Sequence, residues 1–196
     1  MWLRRREQTA QHALNLLDRK LRILRTEQER FHLIAAEAHK RWQQAASEAD
    51  RWGALAAALT GRDGFRWAAT VPPASARIRW ADVMGVNYPS GVDTSLPEPA
   101  PGARSPGSAA LDRAADAYKA AVRAGAEHAV ARSACQTIDA EVSAVRMRRT
   151  AIAQRWLPQV QRLLAELEAR LEESERAETV RWRQLAADLV EEEGTG

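Results

Sequence analysis

Between Ala10 and Leu59 the chain can be walked in alternating steps of four and three. The positions reached are Ala10, Leu14, Leu17, Leu21, Leu24, Gln28, Phe31, Ala35, Ala38, Trp42, Ala45, Ala49, Trp52, Ala56 and Leu59. Fourteen of these fifteen are apolar, and Gln28 is the exception. An average step of about 3.5 residues held over about seven heptads is the seam of a coiled coil. The pattern predicts one helix over residues 1–60, a rod of roughly 75 Å at about 1.5 Å per residue. The glycines of "TGRDG", Gly61 and Gly64, are expected to end it.

The middle, residues 61–107, has a different texture. It holds seven of the eight prolines, Pro72, Pro73, Pro89, Pro97, Pro99, Pro101 and Pro106. Within it, "ARIRWADVMGVNY" alternates apolar and polar residues in part, which predicts a short β-hairpin or a pair of strands. The following "SLPEPAPGARSPGS" reads as an extended loop. A second helical arm is expected over 108–196, with Ser108 as its N-cap and an end near Val190. Ile138, Val142, Val145, Ile152 and Trp156 form one apolar stripe on it. Val160, Leu163, Leu164, Leu167 and Leu171 form the next, slightly shifted. Pro158 falls between the two stripes. The apolar pattern resumes at once and no loop residue follows, so a kink is expected there rather than a break.

The fold class is therefore mainly α: a long antiparallel two-helix coiled coil with a small insert between its arms. A homodimer in which each seam meets its own copy is the alternative. Charge bears on the pairing. Residues 1–30 carry eight basic and four acidic side chains, whereas residues 160–196 carry five and ten. The two ends should attract, at a few tenths of a kcal/mol per exposed pair. Pairing Leu59 with the start of the second arm instead sets residues 4–30 against about 138–164. In that register the second arm overhangs the first; otherwise its opening turns pack on the insert.

The 196 residues are 45% hydrophobic and 28% charged, too apolar for a disordered chain. Alanine supplies much of that apolar fraction and favours long helices. Of the 29 basic residues only Lys20, Lys40 and Lys119 are lysine, a bias typical of a GC-rich bacterial genome. The longest apolar run, "WGALAAAL", is far short of the roughly 20 residues that span a bilayer. The opening "MWLRRREQTAQHA" has no apolar block of signal-peptide type, so the chain is expected to be soluble, with no direct membrane insertion. The single cysteine, Cys135, cannot form an internal disulfide.

Motifs of chemistry are scarce. The four histidines are His12, His32, His39 and His128, and no cysteine or carboxylate completes a metal set with them at the right spacing, so no metal site is expected. There is no GxxxxGK[ST] and no GxGxxG to hold a nucleotide, hence no cofactor is expected. The basic cluster of Arg4, Arg5, Arg6, Arg19, Lys20, Arg22 and Arg25 would suit an acidic partner. Nucleic acid is disfavoured, because Phe31, Trp42 and Trp52, which would have to stack on bases, lie on the seam. No catalytic residues are assigned. The functional residues are the seam itself: Leu14, Leu17, Leu21, Leu24, Phe31 and Trp42 on the first arm, and Ile138, Val142, Val145, Ile152, Trp156, Leu163 and Leu167 on the second.

Three segments, in order, carry a family resemblance: "RRREQTAQHALNLLDRKLRILRTEQERF" (residues 4–31), "IRWADVMGVNYP" (78–89) and the stretch from Ala126 to Arg176 with its mid-helix Pro158. They resemble the D subunit of the V-type and A-type rotary ATPases, the central-stalk rotor subunit. In that family the second segment often reads Val-Met-Gly-Val-x-x-Pro, matched here by Val83, Met84, Gly85, Val86 and Pro89. Two places depart from the family. Its Arg-Val-Asn-Ala-Leu-Glu stands here as Arg148, Arg149, Thr150, Ala151, Ile152 and Ala153, and its lysine-rich end is replaced by "RWRQLAADLVEEEGTG". The resemblance implies a non-catalytic shaft that binds no nucleotide. Its partners would be the catalytic and non-catalytic head subunits, other central-stalk subunits and the subunit capping the membrane ring. It would lie in the cytoplasm, peripheral to the membrane, and serve ATP-driven proton or sodium transport or ATP synthesis. A free-standing coiled-coil adaptor is the alternative.

Overall fold

The computed structural model describes residues 2–68, 73–97 and 109–194, with side chains described except over 62–68 and 184–194. Helix α1 runs Trp2–Ala68, strands β1 and β2 are Ser75–Val83 and Val86–Ser95, and helices α2 and α3 are Ala109–Ala151 and Leu157–Gly194. The fold is mainly helical: two long helical arms pack against each other, with a two-stranded antiparallel hairpin between them in sequence. The expected loop at 98–108, including Ser108 as N-cap, lies outside the described residues.

Helical geometry in α1 is broken at Gly61, with φ 65° and ψ −175°. That region of backbone space is essentially open to glycine alone, which explains why the break falls there. Gly64, expected to act as a second breaker, lies inside the helical piece that resumes and reaches Ala68. Of the fifteen seam positions of the first arm, thirteen are buried or half-buried, and only Trp42 and Leu59 are exposed.

The chain forms two compact units, residues Lys20–Ala144 and residues Met1–Arg19 with Val145–Gly196. This division cuts across the three-part organisation expected from composition, because it follows pairing between arms rather than sequence neighbourhood. In the Lys20–Ala144 unit the arms run antiparallel. Lys20 Nζ meets Glu141 at 2.7 Å, and Arg41 meets Glu127 at 3.7 Å. Toward the insert, Ala56, Ala110, Leu111 and Ala114 form a buried cluster with Trp52 packed against it. Small side chains let two helices approach closely, since interaxial distance is set by the residues at the contact.

The hairpin belongs to the same unit. Val83 pairs with Val86, leaving Met84 and Gly85 as a two-residue turn. Both have positive φ, 52° and 78°, as a type I′ turn requires. A register shift between Arg79 and Trp80 leaves Ser90 as an extra residue on β2, and its hydroxyl donates to the Arg79 carbonyl at 3.3 Å. Tyr88 packs edge-on against Phe31 of α1, ring centroids 4.9 Å apart, and so fastens the hairpin to the helix. A side chain at Gly85 pays for left-handed backbone, about 1–2 kcal/mol. Gly85→Ala is therefore expected to speed hydrogen exchange of the hairpin amides while those of α1 and α2 keep their protection.

In the other unit, α2 passes into α3 through a π-helical turn, Ile152–Trp156, whose flanking residues Ala151 and Leu157 have ordinary helical dihedrals. The Leu157 amide bonds to the Ile152 carbonyl, five residues back. Pro158 follows directly. A proline lacks the N–H for the usual bond and its ring crowds the carbonyl four residues back. The wider turn ahead of it gives that ring room. The chain thus stays helical through Pro158 instead of breaking, and the one-residue insertion accounts for the shift of the apolar stripe.

Candidate functional site: the helix seam and its polar inserts

The seam carries the functional residues the sequence assigned, and they fare differently. Leu14, Leu21, Leu24 and Phe31 are buried, with Leu17 half-buried beside them. On the second arm Ile138, Val142 and Val145 are buried, whereas Ile152 and Trp156 are half-buried around the π turn. Trp42, Leu163 and Leu167 are exposed.

The Trp42 indole lies across the neighbouring helix, stacked on His128 with centroids 5.3 Å apart and planes 10° apart. Gly125 makes the space: a Cβ there would stand 3.2 Å from the indole Nε1. His39 completes the group, 4.9 Å from the His128 ring.

Leu163 and Leu167 belong to the Met1–Arg19/Val145–Gly196 unit. There Asp18 pairs with Arg149, Glu7 accepts from Gln161 at 2.9 Å, and Arg4 reaches Glu168 at 2.7 Å. These pairs set α1 against the end of α2 and the start of α3 in the overhanging register. Leu163 and Leu167 lie on the stretch bracketed by the Gln161 and Glu168 pairs. Val160 is still buried, but Leu163, Leu167 and Leu171 are not. The attraction expected between basic opening and acidic end is realised by Arg4 and Glu168.

The seam also carries residues that sequence reasoning missed. Ala110, Leu111, Ala114, Ala121, Ala131, Ala134 and Cys135 are all buried on α2. Alanines occur on every face of that stretch, so no stripe stands out against them.

A second omission has chemical content. His32 on α1 meets Cys135 and Asp139 on α2, and the possible ligand atoms of all three lie within 4.8 Å of one another. His32 Nδ1 is 3.3 Å from Cys135 Sγ, and His32 Nε2 is 3.1 Å from Asp139 Oδ1. The Gln28 amide donates to Asp139 Oδ1 at 2.7 Å. Gln28, the lone polar residue on the seam, thereby has its partner. The expectation of no metal set came from local spacing, and this set is assembled by the pairing of two arms. The i,i+4 relation of Cys135 and Asp139 was the available signal. Burial, followed by the nearby Asp139 carboxylate, pushes the Cys135 thiol above its ordinary pKa. A catalytic thiol needs the opposite shift, so Cys135 is not set up as a nucleophile.

At the other polar insert, burial and then the charges of His39 and Arg132 hold His128 below its ordinary pKa of 6.5. Above that pH the imidazole is neutral in both folded and unfolded chain. As pH falls below it the unfolded chain takes the proton first, so folding loses stability. Denaturation midpoints at about pH 7.5 and about pH 5.5 are expected to drop more on acidification in the parent than in His128→Gln.

A pair of long helices packed along an apolar seam, carrying a small hairpin in the connection, defines a helical-hairpin protein. The family model of the ATP synthase D subunit matches residues 1–187, and the chain belongs to that family. It is thus a stalk subunit of a rotary ATPase complex. No curated protein matches the chain. Among the described residues no helix is long and apolar enough to cross a membrane.

Proposed function

We propose that this chain is the rotor shaft of its complex. It carries torque between a catalytic head and a membrane ion-translocating ring, in ATP-driven transport or ATP synthesis, without catalysing a step itself. It sits in the cytoplasm at the membrane periphery, held there by other subunits. The observation that supports this reading best is the closure of the seam within one chain. Leu24, Ile138 and Val145 are fully buried by the chain's own arms. Torque passed along such a pair is resisted by side chains that interlock across the seam, and two packed helices resist twisting better than one.

Two further features fit. Alanine seam positions such as Ala38, Ala49 and Ala56 keep the pair thin, as rotation inside a bore demands. The exposed Ile78 and Trp80 on the hairpin offer a face for a neighbouring stalk or ring-capping subunit. The test is reconstitution with catalytic and non-catalytic head subunits and the remaining stalk subunits. One copy of the chain is expected per head, and its omission should uncouple ATP turnover from ion movement. A chain that forms a stable homodimer and ignores the head would instead be a coiled-coil adaptor.

A further inference from the structure

We infer that His32, Cys135 and Asp139 form a zinc-class metal site that staples α1 to α2. The proposal does not depend on assembly with any other subunit.

The donor set comes first. One imidazole nitrogen, one thiolate sulfur and one carboxylate oxygen are ligands that zinc accepts, whereas magnesium and calcium select oxygen alone. Geometry agrees. Metal–ligand bonds of about 2.0–2.3 Å in a tetrahedron put neighbouring donor atoms roughly 3.3–3.8 Å apart. Here His32 Nδ1 and Cys135 Sγ are separated by 3.3 Å, and Cys135 Sγ and Asp139 Oδ2 by 3.8 Å. The two separations that involve the thiol thus match edges of such a tetrahedron, one ligand atom from each residue lies within 4.8 Å of the others, and a water molecule would supply the fourth ligand.

Rigidity and access follow from position. Cys135 is buried in the seam, and four residues later Asp139 lies on the same side of α2. His32 comes from the opposing helix and is half-exposed, as is Asp139, which leaves a route for the ion from solvent. Gln28 supplies outer support: its amide holds Asp139 Oδ1 and leaves Oδ2, the oxygen beside the thiol, to face the cation. Partners of this kind fix the orientation of metal ligands. On binding, the Sγ–H bond of Cys135 breaks, an Sγ–metal bond forms, and the proton leaves to water. No electron is transferred.

Cobalt(II) is the probe, used on the full-length, tag-free chain kept reduced. One equivalent should bind with the intense visible bands of a tetrahedral site and with thiolate-to-cobalt charge transfer in the near ultraviolet. Zinc should displace it and raise the thermal midpoint. Cys135→Ser should abolish the charge-transfer band and the zinc-induced rise. His32→Ala and Asp139→Asn should each weaken binding at least about tenfold, and Gln28→Ala roughly 10–100-fold. Zinc should also slow alkylation of the parent's Cys135, which is the chain's only cysteine, so the proposal stays testable if a variant fails to fold. No saturable binding, weak octahedral bands alone, or equal binding by parent and Cys135→Ser would overturn it. Unchanged alkylation in the presence of zinc would do the same.

Discussion

Leu24→Asp is expected to unfold the Lys20–Ala144 unit at or near room temperature. Leu24 is 0% exposed. Truncating a leucine in such a place costs about 2.7–5 kcal/mol on its own. A carboxylate adds the penalty of a charge in apolar surroundings, which it partly escapes by staying protonated. The total is comparable with the whole stability of an ordinary domain, about 5–15 kcal/mol. Leu33→Asp is the matched control on the same helix: Leu33 is 73% exposed, and its change should stay within about 0.5 kcal/mol. Urea titration followed by far-ultraviolet circular dichroism reads both. Because the introduced carboxyl must be neutral to be buried, the Leu24 variant should regain part of its helicity in mild acid. Equal effects at the two positions would mean that the seam does not hold the helices together.

The contrast between Leu24 and Leu33 is legible in the heptad pattern alone, since only Leu24 falls on the walk of fours and threes. The hairpin is legible for a related reason: alternation around Met84 and Gly85 has a different period from the arms. Pairing is harder to read. A helix pattern states which face is apolar but not which residue of the other arm it meets, and charge points to one register while the pairing of Leu59 with the start of the second arm points to another. Once Asp18 is set against Arg149 and His32 against Cys135, the polar cluster at Asp139 follows. Without that register, His32 and Cys135 are 103 positions apart and no spacing rule connects them. Leu163 and Leu167 depart from expectation for the complementary reason. Their stripe is real, but a periodic pattern does not state how deeply the partner covers it, and α1 reaches Glu168 through Arg4 without covering the two leucines.

That exposed stripe carries the second large expectation. Leu163, Leu167 and Leu171 recur every four residues on α3, and Val180 and Trp182 farther along are exposed as well. Under the proposed function, this end of the second arm is the part seated in the catalytic head, and the leucines would be covered there. The double variant Leu167→Asp/Leu171→Asp should therefore keep the parent's helicity and melting midpoint, because neither side chain is buried in the free chain. Its affinity for the reconstituted head should fall at least about 100-fold, since burial of each leucine is worth about 1.5–3 kcal/mol and a carboxylate in its place must be desolvated. Pull-down of head subunits by the tethered chain, alongside a thermal melt of the chain alone, separates the cases. Loss of both stability and binding would place the stripe on the folding seam after all. Retention of both would mean that the head does not grip this end, and the rotor reading would then have to rest on another surface of the chain.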